Sequence, residues 1–181
     1  ETAFIDALIR LNSEERHQVC WSVGHGERAF DEQTEPSGMG LIVGRMLDQN
    51  YVVRETRVIT QGVPSDCALF VVAGPQTDWL PEERDALATY IAFGGRALVL
   101  LDPALQGVDI EDFAADFSQY GVLVGSDFVI EGSADHRQIN AENEPLQLYY
   151  GSNLTVHPIV EMPDAVWAIQ LARSVRWQGT E

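Results

Sequence analysis

Apolar residues alternate between two spacings along the chain, and the alternation predicts strands interleaved with helices. Phe4, Ala7, Leu8 and Leu11 recur at helical spacing, which predicts an amphipathic helix over residues 2 to 11. Gln18 to Val23 reads as a first strand. Met39, Ile42, Val43, Met46 and Leu47 then follow the i, i+3, i+4, i+7, i+8 pattern of a helix stripe starting near Ser37. Asn50 stands where a left-handed residue would end that helix. Tyr51 to Val58 reads as a second strand whose mixed alternation, Val52 with Arg54 and Val53 with Glu55, places it near a sheet edge.

Ala68 to Ala73 is almost wholly apolar, as a central parallel strand covered on both faces must be. Pro81, Glu82 and Glu83 open the next helix, because Pro suits the first helical position and acids suit the positive end of the dipole. Leu80 is an unusual residue for its N-cap. Leu87, Tyr90 and Ile91 form the buried stripe of that helix and Gly94-Gly95 ends it. Ala97 to Leu101 is a second wholly apolar strand, stopped by Asp102-Pro103. Ile110, Phe113, Ala114 and Phe117 predict another helix, closed by Gly121. Val122 to Ile130 reads as a strand, Glu131 to Pro145 as a long polar loop, and Leu146 to Tyr150 and Val166 to Leu171 as late strands. This order predicts a layered α/β fold with helices on both faces of a mostly parallel sheet. Functional groups in such sheets gather at the carboxyl ends of the strands.

The 181 residues suffice for one domain with its own core, and no apolar run reaches membrane-spanning length. The net charge of −17 argues against nucleic acid and against anionic lipid surfaces, whose phosphates need basic partners. All 11 basic residues are Arg and none is Lys. Either adaptation to high salt or a genome rich in Arg codons accounts for this. Cys20 and Cys67 each lie inside an apolar strand and read as small buried hydrophobes. A disulfide between neighbouring strands would need a Cα geometry that the sequence does not supply.

The strand ends carry Gly24-His25-Gly26-Glu27, Gly74-Pro75 and Asp102-Pro103, and a late loop carries His157. Gly24-x-Gly26-x-x-Ala29 matches a dinucleotide pattern only weakly, since Glu27, Asp31, Glu32 and Glu35 follow and would repel phosphate. His25, Glu27, Asp102 and His157 are the right residue types for an acid/base or metal site, but no short ligand spacing links them. The plainer reading has His25 and Glu27 bonding loop backbone and Asp102 capping its turn. No Ser or Cys stands on a strand-to-helix turn, where Pro75 and Pro103 remove backbone N–H groups that an oxyanion hole would use. Asn153-Leu154-Thr155 fits a glycosylation sequon at the level of chance.

Val19-Cys20-Trp21-Ser22-Val23-Gly24-His25-Gly26-Glu27, Tyr51-Val52-Val53-Arg54, Asp66-Cys67-Ala68-Leu69-Phe70-Val71-Val72-Ala73-Gly74-Pro75, Leu80-Pro81-Glu82-Glu83, Gly94-Gly95-Arg96-Ala97-Leu98-Val99-Leu100-Leu101-Asp102-Pro103, and His157-Pro158-Ile159 with Ala172-Arg173-Ser174 occur in this order. Together they resemble the GldG-type auxiliary components of ABC transport systems, named for gliding motility. The resemblance spans about residue 3 to 176, with departures at Asn50, at Leu80 and in the unusual acidity.

The resemblance implies a three-layer α/β/α fold similar to flavodoxin and to class I glutamine amidotransferases, without the amidotransferase nucleophile. It implies one extracytoplasmic domain over residues 1–181, taken from a longer membrane-anchored envelope protein. Its partners would be ABC permease and ATPase subunits, with no nucleic acid, no cofactor and no metal. A related domain in an intraflagellar transport protein serves assembly. The expected function is non-catalytic binding through Gly24, His25, Gly26, Glu27, Gly74, Pro75, Asp102, Pro103 and His157. The alternatives are a hydrolase or amidotransferase-like enzyme, or a sugar or small-molecule sensor, using the same strand-end cleft.

Overall fold

The computed structural model describes residues 16–34, 38–103, 108–127, 137–139, 145–147 and 173–178. Its centre is a sheet of four parallel strands: β1 (Gln18–Ser22), β2 (Val52–Thr56), β3 (Cys67–Ala73) and β4 (Ala97–Leu100). Their spatial order is β2-β1-β3-β4, so the chain steps to one side after β1 and to the other after β2.

Two apolar clusters lie on the two faces of this sheet. On one face, Val19, Trp21, Val71 and Ala73 pack with Val43 of helix α1 (Gly40–Asp48), with Met39 and Met46 alongside. On the other, Cys20, Phe70 and Val72 pack with Val58 of the short helix α2 (Val58–Gln61), Leu87 and Tyr90 of α3 (Pro81–Ala92), and Phe113 of α4 (Glu111–Ala115). A 3₁₀ turn, Asp116–Tyr120, continues α4 and ends at Gly121 in the left-handed conformation. The mixed α/β architecture and its central parallel sheet follow the predicted order of elements.

Several helix ends also follow the sequence. Asn50 has φ of 67°. After α3, Gly94 N–H reaches the Ile91 carbonyl and Gly95 N–H reaches that of Tyr90, the paired bonds of a glycine-terminated helix. Close approach makes Gly95 necessary, since a Cβ there would lie 2.5 Å from the Tyr90 ring.

Other expectations need correction. The strand expected over 51–58 stops at Thr56, and Val58 turns into α2. Ile42 and Leu47 belong to the helical stripe yet are about half exposed, because α1 meets the sheet through Met39, Val43 and Met46. Leu98 and Leu100 are partly exposed, because β4 has a hydrogen-bonded neighbour only in β3 among the described residues. The segment expected to be a polar loop holds the strand β6 (Arg137–Ile139), which pairs antiparallel with β7 (Pro145–Gln147) at the start of the strand expected over 146–150. The strand expected over 122–130 stops at Val124 as β5 (Val122–Val124), with 128–130 outside the described residues, and β8 (Val175–Trp177) pairs with it antiparallel. The predicted helix over 2–11 and strand over 166–171 lie outside the described residues, as do 148–150.

The largest correction concerns the cysteines. Cys20 and Cys67 form a disulfide between β1 and β3, with Cα atoms 5.7 Å apart.

Candidate functional site

The loop after β1 and the loop after β3 meet at the carboxyl ends of the strands. They do so at the switch point, where adjacent strands connect in opposite directions and parallel α/β sheets open a crevice. Here the two loops bond directly to each other. The His25 carbonyl accepts hydrogen bonds from Gln76 N–H (2.7 Å) and Thr77 N–H (3.3 Å). Arg28 N–H donates to the Ala73 carbonyl (2.8 Å). Gly26 packs so tightly that a Cβ would come within 3.0 Å of the Gln76 side chain.

Side chains brace the same junction. The Glu27 side chain is 1% exposed; its Oε1 accepts from Ser22 Oγ and its Oε2 from the backbone N–H of His25, both at 2.7 Å. The His25 Nε2 lies 3.0 Å from Glu83 Oε2, and its Nδ1 lies 3.6 Å from Glu27 Oε1. Glu83 is also 1% exposed and accepts from Leu80 N–H at 3.0 Å, so one buried carboxylate caps α3 and holds the imidazole. This explains how a helix with Leu80 at its N-cap is satisfied: the third helical residue supplies the acceptor.

Aromatic packing completes the support. The His25 ring sits 5.5 Å from Trp79, which stacks on Phe113 at 4.7 Å with 23° between planes. Asp78 accepts from the backbone N–H groups of Asp112 (3.1 Å) and Phe113 (2.9 Å) and so caps α4. The loop between β3 and α3 is therefore anchored to β1 at Gln76 and to α4 at Asp78 and Trp79.

Asp102 takes a different partner. Both of its oxygens accept from Arg28 Nη2, at 2.9 and 3.0 Å, and the pair lies over Gly74. Gly74 has φ of 62°, and a Cβ there would stand 2.8 Å from Asp102 Oδ2. Of the residues singled out from sequence, the structure thus joins His25 to Glu27 directly and sets Gly74 against Asp102. Gly24 is the turn residue after β1, Pro75 follows Gly74 in the anchored loop, and Pro103 is buried beyond β4. His157 lies outside the described residues. Glu83 and Arg28 were missed as site residues. Glu83 looked like a dipole-favoured acid of a first helical turn, and nothing local marks it as a partner of His25.

The arrangement is chemically a set of buried carboxylates receiving N–H and O–H donors, with both Asp102 oxygens on one Arg28 nitrogen, while His25 Nδ1, Trp79 Nε1 and Glu83 Oε1 are buried without a hydrogen-bond partner. Among the described residues no group of three or more His, Cys, Asp and Glu side chains is placed to hold a metal ion. No helix among them is long and apolar enough to cross a membrane.

No protein-family model matches the chain. No curated protein matches it either. A solved structure titled "mmIFT52 N-terminal domain" is similar in fold, with a TM-score of 0.64 at 15% identity, covering 88% of this chain and 72% of that one. At that identity the likeness concerns the fold alone.

Proposed function

We propose that this chain is a non-catalytic binding and assembly domain of the GldG type, part of an ABC-transport auxiliary protein on the extracytoplasmic side of a membrane. One observation carries the reading: the two loops at the β1/β3 switch point are bonded to each other and braced through His25, Glu27, Glu83, Arg28 and Asp102. A braced loop surface suits the docking of a protein partner, whereas an active site needs reactive atoms turned toward a substrate. The strand order β2-β1-β3-β4 is that of the first four strands of a flavodoxin-like sheet, which supports a three-layer frame shared with class I glutamine amidotransferases. The order of sequence motifs supports the transport assignment. The test is crosslinking and co-purification of the full-length protein from its native membranes. Recovery of an ABC permease or ATPase subunit is expected, and its complete absence would overturn the proposal.

A second reading, a hydrolase or amidotransferase-like enzyme, draws on the approach of His25 to two buried carboxylates. It requires hydrolysis of glutamine or an activated ester that His25→Ala abolishes while the fold persists.

A further inference from the structure

In a regular strand successive side chains face opposite sides, so residues two apart share a face. Along β3, Leu69, Val71 and Ala73 share the face that packs on α1, and Phe70 and Val72 share the other with Cys20. Strict alternation would place Cys67 with Leu69, on the opposite side of the sheet from Cys20. Cys67 nevertheless packs in the Cys20 cluster. The reason is an irregularity in the β1–β3 register: Gln18 faces Cys67 and Val19 faces Leu69, leaving Ala68 as one extra residue. One inserted residue reverses the facing of everything before it. The Tyr90 hydroxyl, 3.0 Å from the Cys67 carbonyl, ties this end of β3 to α3.

The two sulfurs differ in access. Cys20 is fully buried. Cys67 is 6% exposed and lines a groove of about 520 Å³ with Val63, Tyr90 and Phe93.

We propose that Cys20 and Cys67 are an oxidative modification site closed by a disulfide-class oxidant, with Cys67 meeting the oxidant and Cys20 resolving the intermediate. The Cys67 thiolate attacks one sulfur of the oxidant's disulfide and displaces the other as a thiolate. The Cys20 thiolate then attacks Cys67 Sγ in the mixed disulfide and displaces the oxidant's second thiolate. The two cysteines lose two protons and two electrons, and the two sulfurs of the oxidant end as thiols. A bridge of this kind belongs to an oxidising compartment. The inference stands on strand register and burial and does not depend on the transport reading.

The probe is oxidised glutathione, applied to the reduced, folded chain and to the variants Cys20→Ser and Cys67→Ser, followed by intact mass and peptide mapping. The wild-type chain is expected to close its bridge and show no alkylatable thiol after denaturation without reductant. Cys20→Ser is expected to accumulate a glutathione adduct on Cys67 at least about tenfold faster than Cys67→Ser does on Cys20, following thiol access. If either variant fails to fold, glutathione trapped on the wild-type chain by rapid acid quench is mapped instead, and it should be found on Cys67. Two free thiols in chain recovered from an oxidising compartment, or an adduct forming first on Cys20, would overturn the proposal.

Discussion

The imidazole Nε2 of His25 and the carboxylate Oε2 of Glu83 meet at 3.0 Å, joining the first strand-end loop to the start of α3. His25 lies in the loop after β1 and Glu83 in the helix that follows β3, and the contact exists because β1 and β3 are neighbours in the sheet. The same carboxylate caps the helix through Leu80 N–H, so His25 is positioned by a group whose own place is set by the helix.

Glu83→Ala removes the cap and leaves Nε2 of the partly buried imidazole without its partner. A loss of about 3 kcal/mol is expected, typical of breaking a buried polar network. Glu83→Gln keeps an acceptor for Leu80 N–H and should lose less. Denaturant unfolding of both variants measures this, and equal, negligible losses would remove Glu83 from the structural account.

The disulfide joins positions 47 apart in the sequence. Chain-entropy reasoning for a loop of that length gives about 4 kcal/mol of stabilisation. Unfolding with and without a phosphine reductant should differ by an amount of that order. A reduced chain as stable as the oxidised one would mean that packing alone holds β1 to β3.

Two glycines should respond oppositely to the same substitution. Gly74→Ala forces a side chain into a left-handed backbone and toward Asp102, at a cost of about 1–3 kcal/mol. Gly44, inside α1 with open space around its Cβ position, should gain about 1 kcal/mol on replacement by Ala. Thermal unfolding ranks the pair, and a stabilising Gly74→Ala would show that the Arg28–Asp102 contact places no constraint there.

Asp127 joins the end of β5 to the segment before β8: Oδ1 accepts from Ser174 N–H at 2.9 Å and Oδ2 from Ser174 Oγ at 2.8 Å. These bonds, the backbone one first, hold its carboxyl below the ordinary value of 3.8. A depressed folded-state value means the contribution is fully present above the unfolded value and disappears as pH falls through the folded one. Acid titration followed by NMR at Ser174 N–H should show the bond lost only below that ordinary value. Loss at or above it would contradict the depression.

The net charge of −17 implies self-repulsion that salt relieves. Raising NaCl from about 0.1 M to about 2 M should raise Tm by several degrees, because the Debye length falls below the spacing of surface carboxylates. A flat or falling Tm would favour the Arg-codon explanation for the missing Lys.

The sequence alone determined the features that depend on near neighbours. Apolar residues 68–73 read as a covered central strand, Gly94-Gly95 and Asn50 as helix ends, and the alternation of elements led to a parallel α/β sheet. Spacing and backbone preference act over a few residues, so they can be read without the fold. Tertiary structure decided which side chains meet. Reading Cys67 by strict alternation sends it to the wrong face, and one extra residue at Ala68 brings it to Cys20. Asp102 carries the right chemistry to join His25, yet Arg28 holds it, and a first-turn acid, Glu83, takes the place beside the imidazole. Such pairings depend on strand order and register, which are set by the packing of distant segments.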